Sequence, residues 1–228
     1  MRLLKSILRW GALLLAAGLL LAVLTVFLFR YVNPPTTAFM LAWQVENRSG
    51  VRHDWVPLEQ ISPWMPLAVI ASEDQRFLTH WGLDIDAIAS AVTAFQEGEG
   101  LRGASTITQQ TAKNLFLWKG RSFIRKGLEA GLALGLEGLW SKRRIMEVYL
   151  NVAEFGPGIY GVEAASQAHF GVEAAQLGPE QAARLAAVLP NPHIYDASAP
   201  SGYIRQRVAW IRGQMGQLGG TELVRPFY

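Results

Sequence analysis

The chain has 228 residues, of which 50% are hydrophobic and 17% charged, and its formal net charge is +3. This length suffices for one substantial core, or for one core and a membrane segment, and leaves little room for a second large domain. The sequence has no cysteine, which excludes a disulfide framework and a thiolate metal site, and no stretch resembles a nucleic-acid-binding motif.

The first predicted element is a membrane-spanning helix at residues 10–30. The sequence between Arg9 and Arg30, WGALLLAAGLLLAVLTVFLF, runs for twenty residues without a charge. At about 1.5 Å per residue, such a helix covers the roughly 30 Å hydrocarbon core of a bilayer. The apolar part of a cleaved secretory signal is shorter, and the following RYVNPPTTAF offers no A-x-A cleavage site. We therefore expect an uncleaved anchor.

The distribution of basic residues predicts the orientation of this anchor. Arg2, Lys5 and Arg9 precede it, whereas the first basic residue after Arg30 is Arg48. The positive-inside rule then leaves the N-terminus in the cytoplasm and the rest of the chain outside it. In that location a modest positive charge favours anionic lipid or a phosphate-bearing substrate over nucleic acid.

Beyond the anchor, residues 31–59 are predicted to form a linker and the approach to a domain at residues 60–228. NPPTT is typical of extended chain, because each proline disfavours helix at the residue before it. Ser62 and Pro63 fit the N-cap and first position of a helix through WMPLAVIASEDQRF. From residue 60 onward the pattern is mostly helical, and no stretch shows the alternation of a strand. Other predicted elements are a helix with the apolar stripe Ile85, Ile88, Val92 and Phe95, a GEGLRG loop, and helices in KRRIMEVYLNVA, IYGVEAASQAHF and EQAARLAAVL.

The first stretch that could carry chemistry is SEDQRFLTHWGLD. Glu73 and Asp74 come near the end of an otherwise apolar helix. Burial can turn a carboxylate in such a place into a general base. The alternative is a structural acid at a helix end, paired with Arg76 or His80.

The second stretch, GASTITQQTAKNLF, is rich in hydrogen-bond donors. On a helix, Thr106, Gln109, Gln110 and Lys113 come round to one side, because residues three and four apart are neighbours. Hydroxyl, amide and ammonium groups together suit phosphate or sugar oxygens. The alternative is a polar capping segment, in which Ser105 or Thr106 is the N-cap of a surface helix.

The third stretch, GRSFIRKGLEAGLALGLEGLW, places positive charge beside one acid. Arg121, Arg125 and Lys126 come just before Glu129, which lies in an otherwise apolar helix. The alternative to a catalytic role for Glu129 is an ordinary salt bridge with these neighbours.

Glycines mark two features of the later sequence. Three glycines at four-residue spacing in the third stretch indicate close helix packing. Three other glycines, in EVYLNVAEFGPGIYGVEAAS, mark a turn between two helices. Glu147 and Asn151, four residues apart, are expected to tie this turn to the core. The first set is Gly127, Gly131 and Gly135, and the second is Gly156, Gly158 and Gly161.

Taken in order, the four stretches resemble the motifs of the family-51 peptidoglycan glycosyltransferases in their monofunctional biosynthetic form. EDQRFLTHWGLD resembles ED-x-x-F-x-x-H-x-G, GASTITQQTAKNLF resembles G-x-S-T-x-x-Q-Q-x-x-K-N, RKGLEAGL resembles R-K-x-x-E-A, and EVYLNVAEFGPGIYGVEAAS resembles Y-L-N-x-x-x-x-G…G-x-x-A-A. The resemblance covers roughly residues 60–195. Ala104 departs from it, since many members have a second glycine there. The implied fold is mainly α, a lysozyme-like helical domain with a small membrane-associated jaw.

The resemblance implies polymerisation of lipid II, a disaccharide-pentapeptide joined through pyrophosphate to a polyprenyl chain. Displacing that pyrophosphate with a sugar 4-hydroxyl needs a base and compensation for charge on the leaving group. Glu73 matches the general base, and Glu129 matches the second carboxylate, which would act protonated or through a cation such as Mg²⁺ or Mn²⁺. The implied substrate-binding residues are Asp74, Phe77, His80, Ser105, Thr106, Gln109, Gln110, Lys113, Asn114, Arg121, Arg125 and Lys126, and the structural ones are Glu147, Asn151, Gly156 and Gly161.

Other implied properties concern partners and location. The partners are lipid II, the growing glycan strand, membrane lipid and cell-wall proteins such as transpeptidases, and no organic cofactor is expected. The location is the bacterial inner membrane with the catalytic domain in the periplasm. Leu115, Phe116, Leu117, Trp118 and Phe123 would form the lipid-contacting jaw, with core burial as the alternative for some of them. Because the chain ends at Tyr228, we expect no transpeptidase domain.

Two alternatives come from other functional classes. A peptidoglycan hydrolase or lytic transglycosylase would share the helical fold and a helix-end glutamate, but it needs no pyrophosphate site, so the K-N and R-K-x-x-E motifs favour synthesis. A non-catalytic anchored scaffold would require both glutamates to be incidental. A zinc site has no support, because the four histidines are scattered without metal-ligand spacing: His53, His80, His169 and His193.

Overall fold

The structure, a computed structural model, describes residues 2–97, 105–120 and 122–228. It is mainly helical, as predicted, and the GEGLRG loop predicted at residues 98–103 lies outside the described residues. The α-helices are α1 Arg2–Phe29, α2 Ala38–Asn47, α3 Trp64–Glu73, α4 Ile85–Gln96, α5 Ile107–Phe116, α6 Phe123–Leu139, α7 Lys142–Val152, α8 Val162–Phe170, α9 Pro179–Val188 and α10 Gly202–Gln217. The strands are β1 Arg52–His53, β2 Glu154–Gly156 and β3 Ile159–Tyr160, and short 3₁₀ helices cover Leu58–Gln60, Ala174–Gln176 and Gly220–Phe227.

Helix α1 contains the charge-free segment and is long and apolar enough to cross a membrane over Lys5–Phe29. Its side chains are almost all exposed, and most of them are leucine, alanine and valine. An exposed apolar helix of this length fits the hydrocarbon of a bilayer rather than water. The helix begins earlier than the predicted span because the preceding basic and aliphatic residues are also good helix formers.

The segment at residues 31–59 contains regular structure of its own. After the prolines of NPPTT, Thr37 caps α2 by accepting a hydrogen bond from the backbone N of Met40 (3.1 Å). Helix α2 then packs against α5, and β1 joins the sheet of the domain. The chain between anchor and domain is therefore folded onto the domain.

Helix α3 is the centre of the domain. Every residue from Met65 to Ala71 is buried, and the helix packs against α9 and α10. Helices α5, α6 and α7 pack together as a second group, and buried side chains of both groups belong to one hydrophobic core. Glu73 thus lies at the point where the central helix leaves this core.

Helix α3 is shorter than predicted at its C-terminus. The expected helix ran through Phe77, but α3 ends at Glu73, and Asp74 follows with φ −162° and ψ 75°. The Asp74 carboxylate accepts a hydrogen bond from the backbone N of Ile107 (2.9 Å), a partner that is distant in sequence. At the other end, the Ser62 hydroxyl donates to the carbonyl of Leu177 (2.7 Å) and does not cap α3.

A small three-stranded sheet lies beside the helices, where no strand was predicted. Strand β3 is central, with β1 parallel to it and β2 antiparallel. Each strand has only two or three residues, too few for the alternation that identifies a strand in a sequence.

Asn151 joins the end of α7 to the segment that enters the domain. Its buried side chain accepts from the Val56 backbone N (3.0 Å) and donates to the Val56 carbonyl (2.9 Å). Gly161, with φ 84°, precedes α8, and a Cβ on it would lie 2.8 Å from the Asn151 carbonyl oxygen. A side chain does not fit at Gly161, because both its backbone conformation and its contact with Asn151 require glycine.

Replacing Asn151 with alanine is expected to lower the free energy of unfolding by about 2–4 kcal/mol, because it leaves the Val56 backbone N and carbonyl without their partners. Denaturant titration of the full chain in detergent would measure this. Asn47→Ala is the matched control, since its exposed side chain makes one bond to the carbonyl of Trp43. Equal losses in the two variants would contradict the role of Asn151.

Helix α4 forms where the apolar stripe predicted it, but the stripe is not covered by the core. Ile85 is 64% exposed and Ile88 is 37% exposed. The side chains of Val92 and Phe95 lie outside the described part of the chain. Periodicity thus predicted the helix correctly but did not show what the apolar side contacts.

One side of α6 is also apolar and exposed. Phe123 is 97% exposed, and Ile124, Leu128 and Leu134 are exposed as well. We call these four residues the outward face of α6. The three glycines at four-residue spacing are Gly127, Gly131 and Gly135. Among the described residues, no atom of another element lies within 4 Å of a Cβ built at any of them. The expectation of close helix packing at these glycines was therefore wrong.

Candidate active site

Glu73 is the last residue of α3, and its carboxylate is held from three sides. Its side chain is 12% exposed. Ser72 Oγ donates to Oε1 and Gln110 Nε2 donates to Oε2, each at 2.9 Å. Arg207 Nη2, from α10, lies 3.6 Å from Oε1 and also donates to Ser72 Oγ (3.1 Å). These three contacts fix the position of the Glu73 carboxylate at the end of α3.

The alternative of a helix-end acid paired with Arg76 or His80 holds for Asp74, which pairs with His80, and is wrong for Glu73. The Arg76 guanidinium pairs with Asp86 (2.5 Å), and His80 Nε2 lies 2.9 Å from both oxygens of the Asp74 carboxylate. The His80 and Asp74 side chains are almost completely buried. Glu73 therefore pairs with neither Arg76 nor His80, and its partners are Ser72, Gln110 and Arg207.

The start of α5 is fixed by a capping box. Thr106 Oγ1 accepts from the backbone N of Gln109 (3.1 Å), and Gln109 Oε1 accepts from the backbone N of Thr106 (3.0 Å). Thr106 is thus the N-cap, as the alternative interpretation had it, but α5 is not a surface helix, because most of its side chains are buried. Since Asp74 binds the backbone N of Ile107, the end of α3 and the start of α5 are tied together. Thr106, Gln109 and Asp74 thus position the site from behind its surface.

This arrangement aims Gln110 at Glu73. The Tyr149 hydroxyl donates to Gln110 Oε1 (3.2 Å), so the amide nitrogen faces the carboxylate. Complete burial raises the pKa of the Tyr149 hydroxyl well above its usual value, which keeps it a donor. The orientation of Gln110 is therefore set by a fixed donor behind it.

Lys113 lies one turn further along α5, and its ammonium group is partly buried. Its ammonium lies 5.5 Å from the centre of the Phe39 ring, and within the described ranges it forms no salt bridge within 4 Å. Burial lowers the pKa of Lys113, while the charges of Glu129 and Glu73 act in the opposite direction. A partly desolvated cation of this kind can form a binding site for an anionic group.

Glu129 is buried between two cations on its own helix. Arg125 Nη1 lies 2.7 Å from Oε2, and Lys126 Nζ lies 2.5 Å from Oε1. Lys126 also donates to Ser105 Oγ (2.8 Å), which joins α6 to the start of α5. The salt bridge of the alternative interpretation is present, and the charges of Arg125, Lys126 and Glu129 all act on Lys113. Arg121, which the resemblance also implied, lies outside the described residues.

Gln110 and Lys113 line a cleft cavity of about 280 Å³. Of the other implied residues, Asn114 lies in its wall, whereas Phe77 is fully buried in the core, with its ring 6.3 Å from that of His80. The full lining is Phe39, Gln110, Lys113, Asn114, Lys119, Tyr149, Ala153, Glu154, Tyr160, Leu189, Pro190, Pro192 and His193.

The sequence interpretation missed four residues that shape the site. Arg207 and Phe39 reach it from α10 and α2, and nothing in their own sequence windows marks them. Ser72 could have been found as the hydroxyl preceding Glu73, and Tyr149 lies inside a quoted motif but had been assigned no role.

Comparisons with known proteins agree with this geometry. A family model described as Transglycosylase matches residues 41–216. A biosynthetic peptidoglycan transglycosylase from Marinomonas sp. (strain MWYL1) is 60% identical over 201 residues, covering 88% of each chain. One from Shewanella oneidensis is 52% identical over 230 residues, covering 98% of this chain and 97% of the relative, and one from Escherichia coli O127:H6 is 56% identical over 219 residues, covering 90% of each.

These matches extend over nearly the whole domain and include all four motifs of the resemblance. They confirm the predicted family and the predicted mainly helical, lysozyme-like fold behind an N-terminal apolar helix. The chain belongs to the transglycosylase family.

Proposed function

We propose that the chain polymerises lipid II into glycan strands at a membrane surface. In this proposal the growing strand is the donor, and the 4-hydroxyl of an incoming lipid II is the acceptor. The observation that carries it is that Gln110, which binds the held carboxylate of Glu73, lines the same cavity as Lys113, a cation with no salt-bridge partner among the described residues. The similarity to biosynthetic peptidoglycan transglycosylases supports the same activity.

Glu73 acts as the general base. It takes the proton from the acceptor 4-hydroxyl while that oxygen forms a bond to the anomeric carbon of the donor. The bond from that carbon to pyrophosphate breaks, and the electron pair leaves with polyprenyl diphosphate. Attack opposite the leaving group converts an α linkage into a β-1,4 linkage, with oxocarbenium character as in inverting glycoside hydrolysis. Ser72, Gln110 and Arg207 hold the carboxylate in place for this step.

The cations beside the cleft offset the charge that develops on the leaving pyrophosphate. Lys113 faces the cavity directly, while Glu129 holds Arg125 and Lys126 next to it. A carboxylate beside pyrophosphate would be repulsive by itself. With both oxygens paired to cations, Glu129 serves instead to orient positive groups toward the donor.

The residues near the donor do not fit a resident divalent ion. Both oxygens of Glu129 are occupied by Arg125 and Lys126, and nowhere in the described ranges do three histidine, aspartate or glutamate side chains converge. Arg125, Lys126 and Lys113 therefore compensate the charge of the pyrophosphate in this proposal, without Mg²⁺ or Mn²⁺.

A membrane location supports this activity, because the polyprenyl part of the substrate stays in the bilayer. We place the N-terminus in the cytoplasm, α1 across the bacterial inner membrane and the catalytic domain in the periplasm. The outward face of α6, together with the exposed Trp118, would contact lipid. Leu115 and Leu117 from the predicted jaw segment are buried, so only part of that segment is available to lipid.

Peptide cross-linking is left to another protein in this proposal. Transpeptidases of the penicillin-binding type use a Ser-x-x-Lys motif, which does not occur in these 228 residues. A transpeptidase acting on the finished strands would therefore be a functional partner.

The proposal is tested by product analysis with labelled lipid II. The expected products are a polymer that a muramidase digests to disaccharide units and one polyprenyl diphosphate for each linkage formed. A pulse of one label followed by a second should place the second label at the lipid-linked end. The second label at the opposite end would overturn the assignment of donor and acceptor.

The activity is expected to fall at alkaline pH because of Lys113. A lysine is charged below its pKa and neutral above it, and burial lowers the pKa of Lys113. Its charge is therefore lost at lower pH than that of an exposed lysine, and the rate should fall as pH rises. Initial rates measured from about pH 7 to pH 10 would record this fall, which is the alkaline limb of the pH–rate profile. Lys113→Arg, whose charge persists in that range, should shift the limb upward. An unshifted limb would contradict the role of the Lys113 charge.

A further inference from the structure

Arg144, near the start of α7, grips the end of the membrane helix. Its Nε and Nη2 donate to the carbonyl of Phe29 (3.1 and 2.9 Å), and Nη2 also donates to the carbonyl of Val32 (3.1 Å). Nη1 donates to Asn33 Oδ1 (2.9 Å) and to Glu147 Oε2 (3.2 Å). A guanidinium has five N–H donors, so these five bonds use its full capacity.

Trp140 adds a contact one turn earlier on α1. Its Nε1 donates to the carbonyl of Val26 (2.8 Å). If the α-helix continued, the backbone N of Arg30 would donate to the Val26 carbonyl. Here it donates to the carbonyl of Phe27 instead (3.2 Å). The last carbonyls of a helix have no partners within it and attract positive charge. Trp140 and Arg144 supply these partners from the catalytic domain, and we call them the anchor clamp.

The anchor clamp is close to the catalytic machinery along the chain. The same helix, α7, carries Tyr149, which fixes Gln110 against Glu73. On the other side, the clamped chain continues into α2, which places Phe39 beside Lys113. The membrane helix and the cleft are thus connected through two short, folded segments.

We propose that the anchor clamp sets the height and tilt of the cleft above the membrane. This proposal rests on the proposed use of a lipid-linked substrate. In it, Arg144 is a positioning residue for the reaction. The pyrophosphate of such a substrate is held near the bilayer surface by its lipid chain. A rigid anchor presents Lys113 and Glu73 at that level, whereas a flexible tether would let the domain turn away.

The test compares substrates that do and do not depend on the bilayer. Full-length Arg144→Gln and Trp140→Phe would be reconstituted in vesicles of phosphatidylethanolamine and phosphatidylglycerol. We expect kcat/KM for polyprenyl lipid II in vesicles to fall by at least about tenfold in Arg144→Gln, because small misplacements of reacting groups are costly. With a short-chain lipid II in detergent, the change should stay within about twofold. Arg225→Gln, at an 80% exposed side chain, is the control.

A second readout does not depend on activity. Because the chain has no cysteine, Ser198→Cys provides one labelling site in an exposed loop. Energy transfer from that label to acceptor lipids reports the height of the domain, and its distribution should broaden in both clamp variants. Trp140→Phe keeps an aromatic ring and answers the question if Arg144→Gln does not fold.

Equal losses with both substrates, or an unchanged height distribution, would overturn the inference. If wild type polymerises neither substrate, the proposed function fails. The height measurement still decides separately whether the clamp holds the domain.

Discussion

Glu73→Gln is expected to lower the rate of glycan polymerisation by roughly 10²–10⁴-fold, the range that a general base contributes. The amide matches the carboxylate in size but cannot accept the proton of the 4-hydroxyl. Ser72, Gln110 and Arg207 would still surround the side chain, so we expect little change in folding. Initial rates with labelled lipid II, beside a thermal unfolding curve, would measure both quantities.

Glu180→Gln is the control for this loss. Glu180 is an exposed acid on α9 that pairs with Arg184 and Arg212, away from the cleft. It should retain the wild-type rate within about twofold, as for most exposed ion pairs. A Glu73→Gln variant with nearly full activity would remove Glu73 from the role of base.

The second large effect is expected at Lys113, where activity and stability should move in opposite directions. Lys113→Met should lower the polymerisation rate by about 10²–10³-fold, because a cation aimed at the leaving group is lost. Burial lowers the pKa of Lys113, so at neutral pH the folded state holds a charge that it disfavours relative to the unfolded state. Removing that charge should raise the free energy of unfolding by about 1 kcal/mol.

Lys119→Met separates this effect from a general loss of positive charge. Lys119 lines the same cavity but pairs with Glu46 (3.1 Å). We expect a rate loss of less than about tenfold and no gain in stability, since its charge already has a partner. Equal rate losses in the Lys113 and Lys119 variants would indicate a diffuse electrostatic effect. They would contradict a specific binding site for the leaving pyrophosphate at Lys113.

The candidate residues of the site could be located in the sequence because each of them lies within a short window. Glu73 follows an apolar helix, Lys113 ends a donor-rich helix, and Glu129 follows two cations, which are patterns that local spacing reveals. The order of the motifs then indicated the family, which the comparisons confirmed. Spacing did not show what holds Glu73, because Arg207 comes from the other end of the domain.

Two further predictions from the sequence differ from the structure for the same reason, which is that contacts with residues distant in the sequence decide the result. Helix α3 ends early because Asp74 binds the backbone of Ile107, a partner that periodicity within one helix cannot reveal. The glycines of α6 were interpreted as packing positions, yet that side of the helix is open. Small residues permit close approach, but the location of the neighbouring helices decides whether it happens.

An experiment with two labelled substrates would distinguish glycan synthesis from glycan cleavage. Wild type and Glu73→Gln would each receive lipid II with one label and preformed glycan strands with another. We expect wild type to convert lipid II into polymer that a muramidase digests, and Glu73→Gln to leave lipid II unchanged. The preformed strands should stay intact with both proteins. Cleavage of those strands while lipid II persists would identify a hydrolase and contradict the assignment of Lys113 and the Glu129 cluster to a pyrophosphate site.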